Sequence, residues 1–478
     1  MSRGVCMSFD YLVLGNGAIG MFAAIRLKEE FPSARVGIIG NPARRNSASV
    51  AAGAMCNVYG EIENAASTNM KALQEISLAF GVAGRSGWID FLNTHNLRQK
   101  LVSADKTLIF LKDNASAFES GNFARAKEAS LEAGIYQEVE TTKLESLFAQ
   151  AESVPREAFL IDGEFALDSK ELFLTFSALC ETLGIQVLGA EIENIEIGKR
   201  VVKTNIGIFS AEKIIVALGA ETQKIIGLDS IQSVLRGVGT AFQISNRVID
   251  ASFASERMVI RTVNRGGAQC GFHFVPRKNG YYLGAGNYIK ADGESSHRLE
   301  TLRYLINTFE SELGGSEITY LLEGDIIKGH RPRALDGFPL IGSLISDGSI
   351  FVASGTNRAG LTWAPAIARQ VISWAKGENQ DVISPEQAKL ISPERRPINF
   401  GSELEAIDYY VESRIGAAIE HGKLENRSEF IDIERSRLRE YANELLQKVQ
   451  TLTGLDMVPH PDHWAAILDK PSLCVVSK

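Results

Sequence analysis

The sequence predicts an α/β protein: a discontinuous Rossmann-like nucleotide-binding domain, a second domain built on an antiparallel sheet, and an added helical C-terminal segment. Three observations predict it. A glycine turn, "LVLGNGAIG" at 12–20, lies between a buried strand and a helical pattern. Buried strands that run into glycine turns return at 213–220 and 349–360. Between these, residues 236–325 alternate apolar and polar side chains, which is typical of antiparallel strands.

The first unit, residues 10–40, is predicted as strand, turn, helix and strand, which is the context that a GxGxxG dinucleotide fingerprint requires. The helix ends before a proline. Gly15 permits the tight turn, Gly17 lets the backbone approach a pyrophosphate, and Gly20 lets the helix pack close to the strand. The helix begins near Ala18, and its free N–H groups favour phosphate.

The position that usually holds the nucleotide's ribose is unusual. An acidic residue normally follows the second strand of such a unit, whereas this strand ends in Gly40-Asn41. Asn41 offers a ribose hydroxyl a hydrogen bond without charge, and the following Arg44 and Arg45 suggest a 2′-phosphate. This motif alone leaves NADP and FAD both open.

The rest of the chain sets the predicted boundaries. Residues 60–155 look helical and polar, a helix starts near Ser169, and Lys278-Asn279-Gly280 predicts a hairpin turn. The nucleotide-binding domain is predicted at 8–80, 155–235 and 326–378, the second domain at 81–154 and 236–325, and a helical extension at 385–478.

The C-terminal extension carries a short heptad pattern, with leucines at 438, 445 and 452 and Ala442 and Val449 between them. Two heptads are short for a free coiled coil. We therefore expect a helix packed on its own protein, with a homo-oligomer contact as the alternative.

A histidine-containing motif, "PHPDHW" at 459–464, follows that helix. It offers His460, Asp462 and His463, but a metal site needs further ligands in a fixed geometry. The sequence therefore predicts a solvent-exposed loop and no metal site.

Composition excludes several classes of function. The chain has 478 residues, enough for two or three domains, and its net charge of −8 gives no case for nucleic acid binding. No apolar stretch of about eighteen residues predicts a membrane span, and the N-terminus lacks the apolar core of a signal peptide. An odd number of scattered cysteines fits reduced thiols and a cytoplasmic location: Cys6, Cys56, Cys180, Cys270 and Cys474.

Five blocks together carry a family resemblance. They are "LVLGNGAIG", "SASVAAGAM" at 47–55, "IIVALGA" with "LRGVG" at 235–239, "FHFVPRKNGYYLGAG" at 272–286, and "GHRPRALDGFPLIG" with "ASGTNRAGLTWAP" at 329–342 and 353–365. In this order they resemble the FAD-dependent amino acid oxidase superfamily (D-amino acid oxidase, glycine oxidase and sarcosine oxidase), and most closely glycine oxidase. The resemblance covers roughly residues 8–378 and implies FAD rather than NADP.

The resemblance also implies which residues bind FAD. Asn41 departs from the family's acidic residue, which puts the ribose contact in doubt but not the cofactor. No cysteine precedes "RPRALDG", where sarcosine oxidases attach flavin covalently, so dissociable FAD is expected. Beyond the fingerprint, the implied contacts are Ser49, Ala52, Gly53 and Met55 near the ribityl chain and ring, Ile192 beside adenine, Gly219 near the pyrophosphate, and Gly355, Asn357, Arg358, Ala359 and Gly360 along the isoalloxazine ring.

Three side chains are implied at the substrate. Arg331 matches an arginine that binds the substrate carboxylate, and Arg358 matches a second one in glycine oxidase. A guanidinium group suits this task because it is planar and stays charged. The alternative for Arg331 is a structural ion pair, since Asp336 is near in sequence. His273 stands where glycine oxidase has a tyrosine that lines the substrate site. A histidine there either donates to a substrate group or titrates near neutral pH, and the alternative is a histidine on an outward strand face.

The implied reaction takes a hydride from the carbon next to the amine of an amino acid or related carboxylate-bearing amine. An imine and then a keto acid result, with O₂ or another compound as electron acceptor. One alternative is a 2-hydroxy acid or glycerol-phosphate dehydrogenase of the same fold that passes electrons to a quinone. A second is a binding or assembly protein in which the flavin is only structural.

Overall fold

The computed structural model describes residues 7–44, 46–224, 231–245, 256–266, 269–291, 297–314, 326–379, 381–454 and 457–471. Cys6 and Cys474 lie outside these ranges, while Cys56, Cys180 and Cys270 are buried free thiols. The strands are β1 (Met7–Leu14), β2 (Val36–Gly40), β3 (Met55–Cys56), β4 (Val102–Leu111), β5 (Tyr136–Glu138), β6 (Glu157–Leu167), β7 (Gln186–Gly189), β8 (Ile192–Glu196), β9 (Val201–Thr204), β10 (Gly207–Val216), β11 (Val234–Ser245), β12 (Met258–Arg261), β13 (Gln269–Arg277), β14 (Gly280–Gly286), β15 (Tyr288–Lys290), β16 (Ile326–Ala334), β17 (Leu340–Ser343) and β18 (Ile350–Ser354). The helices are α1 (Ala18–Glu30), α2 (Thr68–Thr94), α3 (Arg98–Leu101), α4 (Ala117–Glu132), α5 (Thr141–Leu147), α6 (Ser169–Thr182), α7 (Leu299–Leu313), α8 (Gly360–Lys376), α9 (Pro385–Ile391), α10 (Glu403–Glu420), α11 (Ser428–Thr453) and α12 (Trp464–Asp469).

The first sheet is the predicted nucleotide-binding sheet, with strand order β17-β18-β10-β1-β2-β7. The pairs β1–β10, β1–β2, β10–β18 and β2–β7 are parallel, and β17 adds an antiparallel edge. Every residue of β2 and β18 is buried, as expected for strands covered on both faces. Strand, glycine turn and helix occur where the sequence predicts them, at residues 10–40 and again from residue 349 onward. The predicted α/β class is therefore confirmed.

The second sheet is mixed, with order β15-β11-β14-β13-β12-β4-β6-β3, and β16 joins it along β11. The predicted hairpin joins β13 to β14 through residues 278–279. The prediction that residues 60–155 are helical was incomplete, because the ten-residue β4 pairs with β6 there. Three strands placed by sequence in the nucleotide-binding domain, β3, β6 and β16, pair in this second sheet instead. Contacts with strands far away in sequence determine this pairing. The predicted division into two domains remains a proposal.

Helix α2 crosses the predicted boundary at residue 80 as one continuous element of 27 residues. Its Trp88 is fully buried and donates from Nε1 to the backbone oxygen of Leu361, 2.9 Å away, at the start of α8. A Cβ on Gly84 would lie 2.1 Å from the backbone oxygen of Thr362, so a glycine permits this close approach. The contact fixes the beginning of α8, which lies at the cavity described below.

The C-terminal segment is part of the core. Ala406, Val411 and Trp464 are buried in the same apolar cluster as α1 and α8. In the predicted heptad stripe Ala442 and Val449 are fully buried, as expected for a helix packed on its own protein. By contrast, the side chain at 452 is 58% exposed. The homo-oligomer contact remains a prediction, and no described helix is both long and apolar enough to cross a bilayer.

A buried charge cluster joins α10 to the second sheet's helices. Arg265 contacts Glu119 and Glu312, each at 2.8 Å, and Glu420 at 3.3 Å. Tyr304 donates a hydrogen bond to Glu420. Burial raises the pKa of Glu420 to about 7, although the charge of Arg265 opposes this rise. The carboxyl group therefore titrates near neutral pH at the point where the C-terminal segment is attached.

This cluster predicts a pH-dependent stability. The pKa of Glu420 in the folded protein lies above its ordinary value of 4.5, so the stabilisation is complete below about pH 4.5 and is lost as pH rises through 7. From this difference, the free energy of unfolding of Glu420→Gln should rise relative to that of the wild type by about 2.5 kcal/mol between pH 5 and pH 8. Thermal unfolding at both pH values measures this; a pH-independent difference between the two proteins would contradict it.

Candidate functional site

One cavity of about 730 Å³ collects the residues that the sequence predicts as functional. It is lined from the first sheet, the second sheet and the C-terminal segment. Of the predicted residues, the ones that line it are Gly15, Gly17, Ala18, Asn41, Ser49, Ala52, Gly53, Met55, Ile192, Gly219, His273, Arg331, Gly355, Asn357, Arg358, Ala359 and Gly360. Gly20 does not line the cavity; a Cβ there would lie 2.0 Å from the backbone oxygen of Gly15, which fits its predicted role in helix–strand packing.

The fingerprint turn forms one end of the cavity. Gly15 has φ +115°, and a Cβ there would lie 2.2 Å from the backbone oxygen of Ala217. Gly17 has an ordinary extended backbone, and the nearest atom to an added Cβ is the Oγ of Ser49 at 3.3 Å. The same hydroxyl accepts from the N–H of Ala18 at 3.1 Å. Open space therefore faces the N-terminus of α1, where a phosphate is favoured.

Two side chains, Asn41 and Glu191, lie close together where the sequence predicts the ribose contact. Asn41 accepts the N–H of Ala43 at 2.9 Å, so its side chain folds back on its own turn. Its Nδ2 lies 3.5 Å from a carboxylate oxygen of Glu191, which also lines the cavity. Glu191 is exposed, and both its N–H and its C=O are hydrogen-bonded to Asn205. Glu191 was not predictable from the local motif because it lies 150 residues from Asn41 in sequence.

The start of α8 forms another part of the cavity wall. Gly355 and Asn357 both have positive φ, +70° and +48°, and the N–H of Asn357 donates to the backbone oxygen of Pro332 at 2.7 Å. The Oδ1 of Asn357 is buried without a hydrogen-bond partner. Gly360 begins the helix, whose N-terminus favours negative charge.

The loop after β2 supplies the side of the cavity. Ala52 accepts a hydrogen bond from Arg277 at 2.6 Å, and Met55 accepts one from Thr362 at 3.1 Å. A Cβ on Gly53 would lie 3.1 Å from the ring of Tyr282. These bonds hold the loop against both the second sheet and α8.

Arg331 lies on β16 with its guanidinium group across Gly239. Its Nη1 donates to the backbone oxygen of Gly286 at 3.1 Å and to Oδ1 of Asn287 at 3.2 Å. Within the described ranges no carboxylate lies within 4.0 Å of it. Asp336, the partner suggested by sequence proximity, is instead bound by Arg395 at 2.9 Å. The positive charge of Arg331 therefore faces the cavity with no compensating acid among the described residues.

Arg358 is compensated by two acids. Its Nη2 lies 3.1 Å from Glu61 and 3.0 Å from Glu63. Burial acts to lower the pKa of Arg358, but these carboxylates raise it overall. Burial likewise acts to raise the pKa of Glu61, yet the charges of Arg261 and Arg358 lower it to about 2. Arg358 and Glu61 therefore both remain ionised at neutral pH.

His273 lies on β13, buried, and its Nε2 has no hydrogen-bond partner. Burial, together with the charge of Arg261, holds the pKa of His273 well below its ordinary value. The expectation that it titrates near neutral pH was therefore wrong, as was the alternative of an outward strand face. A neutral imidazole with a free ring nitrogen faces the cavity.

The "PHPDHW" motif is not the solvent-exposed loop that the sequence predicted. His460 and His463 are 5% and 0% exposed, because α10 and α12 fold over them. His460 and Asp462 line the cavity, and so does Tyr409 of α10. Among described residues, no three His, Cys, Asp or Glu side chains are grouped to hold a metal ion. This wall was not predictable from sequence, because only long-range packing brings residues 459–464 to the cavity.

The residues present fit FAD. The cavity joins two helix N-termini, an open glycine cradle at Gly17, and two buried polar atoms that lack partners, on His273 and Asn357. These features accommodate phosphates at one end and a polar ring at the other.

Comparisons with known proteins agree with this cavity. The family model described as FAD dependent oxidoreductase matches residues 10–374. Glycine oxidase from Geobacillus kaustophilus has a similar structure, with 16% identity, TM-score 0.64, and coverage of 82% of this chain and 99% of that one. L-proline dehydrogenase from P. horikoshii gives 16%, 0.64, 82% and 98%. FAD-bound L-alpha-glycerophosphate oxidase from Mycoplasma pneumoniae gives 15%, 0.59, 79% and 98%. No curated protein matches by sequence.

Proposed function

The chain belongs to the family of FAD-dependent oxidoreductases, and we propose that its substrate is an amino acid or a related amine that carries a carboxylate. The predicted cofactor is thereby confirmed as FAD, which when bound supplies the redox chemistry by accepting a hydride. In this proposal the substrate carbon next to the amine is oxidised to an imine. Water then releases a keto acid and ammonia or an amine, and O₂ is the proposed electron acceptor.

The observation that carries the proposal is the guanidinium group of Arg331, which faces the cavity with no described carboxylate within 4.0 Å. A cation that faces a cavity without an acid is matched by an anionic ligand, and a planar fork suits a carboxylate. The backbone oxygen of Gly286 and the side chain of Asn287 hold the fork from one side. The substrate would thus be oriented by its carboxylate, and orientation contributes most of the catalysis.

His273 and Arg358 take different roles in this proposal. The neutral ring of His273 offers the substrate amine a hydrogen bond from Nε2 without adding charge. Arg358 is already paired with Glu61 and Glu63, so we assign it to holding that loop rather than to binding a carboxylate.

The test is anaerobic stopped-flow reduction of the purified yellow protein by amino acids, N-methyl amino acids and cyclic imino acids. Flavin bleaching by a carboxylate-bearing amine, and not by its decarboxylated analogue, is the expected result. Acid treatment should release the flavin into the supernatant, because dissociable FAD is proposed.

A second candidate is oxidation of a hydroxyl compound, which the similarity to L-alpha-glycerophosphate oxidase favours. Bleaching by glycerol phosphate or 2-hydroxy acids, but by no amine, would select it. Bleaching by neither class would leave a binding or assembly protein.

Glu191 provides a test of the nucleotide end. We propose that its carboxylate takes the ribose hydroxyls, in place of the acid missing at Asn41. Glu191→Gln should weaken FAD binding by about 5- to 30-fold, since an exposed charge-assisted hydrogen bond contributes on the order of 1–2 kcal/mol. Glu193→Gln, also exposed and two residues along the same segment, is the control. Equal dissociation constants, from flavin fluorescence, for the two variants would exclude this role.

A further inference from the structure

A second guanidinium group faces the cavity from the same strand as Arg331. Arg333 follows two residues later on β16, and both side chains line the cavity. Residues i and i+2 of a strand point to the same face and lie about 7 Å apart. The cavity therefore presents two cations along one wall, and their hydrogen bonds direct them to different neighbours: Arg331 to Gly286 and Asn287, and Arg333 to the C-terminal segment.

The partners of Arg333 come from the C-terminal segment. Its Nη2 lies 3.1 Å from Nε2 of His460, and its Nη1 lies 3.5 Å from a carboxylate oxygen of Asp462. Nδ1 of His460 already faces the backbone N–H of Asp462 at 3.2 Å. A neutral imidazole accepts on only one of its two ring nitrogens. The ring can therefore accept a hydrogen bond from the Arg333 guanidinium group or from the Asp462 N–H, but not from both. An anionic oxygen beside Arg333 would supply the missing acceptor.

The wall that carries Arg331 and Arg333 has a positive charge balance. Among the described residues, Asp462 is the carboxylate within 4.0 Å of Arg333, Arg331 has none at that distance, and Glu61 and Glu63 pair with Arg358 instead. The two cations and one anion of this wall leave a net charge of +1. An amino acid with one carboxylate is neutral overall and leaves this excess. An acidic amino acid carries one net negative charge and balances it.

We propose that the substrate is an acidic amino acid, with its α-carboxylate on Arg331 and its side-chain carboxylate on Arg333, beside His460 and Tyr409. This inference rests on the proposed amine oxidation for its reaction but not for its binding site. Residues 375–478 lie outside the family match, so this wall is a feature that the C-terminal segment adds to the family's fold. The segment would then select the substrate.

A binding experiment tests the subsite without turnover. Glutarate carries two carboxylates and no amine, and its half-amide replaces one carboxylate by an uncharged group of the same size. Titrations followed by the flavin spectrum should give at least about tenfold tighter binding for glutarate, equivalent to about 1.4 kcal/mol. Arg333→Gln should abolish this preference. Arg437→Gln, which removes an exposed arginine on α11, should keep it.

Turnover then distinguishes the two proposals. Glutamate should reduce the flavin faster than glutamine, in one or both enantiomers, and Arg333→Gln should remove that preference. Flavin reduction by glutamine at least as fast as by glutamate, with no glutarate preference, overturns the acidic class and leaves amine oxidation standing. Equal losses for both ligands in Arg333→Gln would also overturn it, since Arg333 would then be structural. A glutarate preference without reduction by any amine would instead reject the reaction and keep the subsite.

Discussion

Gly17→Val is expected to fold and to bind no FAD. The backbone of Gly17 is extended, with φ −77°, which valine adopts readily, and an added Cβ meets only the Oγ of Ser49 at 3.3 Å. The larger side chain instead fills the space in front of the N-terminus of α1, where the pyrophosphate is proposed to lie. The dissociation constant for FAD should rise by at least about 100-fold, or about 2.7 kcal/mol.

Two other glycines supply the controls for this variant. Gly198→Val adds the same side chain where no atom lies within 4 Å of the new Cβ, and it should bind FAD normally. Gly15→Val should fail to fold, because its Cβ would lie 2.2 Å from a backbone oxygen and its φ is +115°. Circular dichroism separates misfolding from lost binding. A folded Gly17→Val protein that still binds FAD tightly would reject the fingerprint assignment.

The nucleotide-binding half of the molecule was predictable because its signals are local. The turn at Gly15, the close packing at Gly20 and the buried strand β2 each follow from a few adjacent residues. The family resemblance added Ile192 and Gly219, which short motifs alone do not identify. These predictions need no knowledge of distant contacts, since backbone geometry dictates the residue type at each position.

The opposite end of the cavity was not predictable in this way. His460 lies in a motif with two prolines, which favours an exposed loop when considered alone, and it becomes buried only because α10 and α12 cover it. Glu191 comes within 3.5 Å of Asn41 although the two residues lie 150 positions apart in sequence. The pKa of His273 depends on burial and on the charge of Arg261, which is paired with it on the neighbouring strand β12. Each of these features is produced by tertiary contacts between segments far apart in sequence.

Arg331→Leu is expected to retain FAD and lose activity. Leucine keeps part of the aliphatic bulk but removes the carboxylate clamp, and no described acid within 4.0 Å is left unpaired. Losing one partner of a buried charged pair costs about 2–5 kcal/mol. The value of kcat/KM for carboxylate-bearing substrates should therefore fall by roughly 30- to 4000-fold. An amine without a carboxylate should be nearly unaffected, so the ratio of the two activities is the decisive measurement.

Arg358→Leu gives the contrasting result that makes the Arg331 prediction specific. It removes the cation from Glu63 and one of the two cations from Glu61, which Arg261 still contacts, and a carboxylate that loses its partner destabilises a folded protein. The melting temperature should fall in Arg358→Leu and stay near the wild-type value in Arg331→Leu. If Arg331→Leu instead loses activity equally on amines with and without a carboxylate, Arg331 is structural. If Arg331→Leu keeps its activity on both kinds of amine, the substrate is not held by its carboxylate. A simple amine or a hydroxyl compound would then replace an amino acid as the proposed substrate.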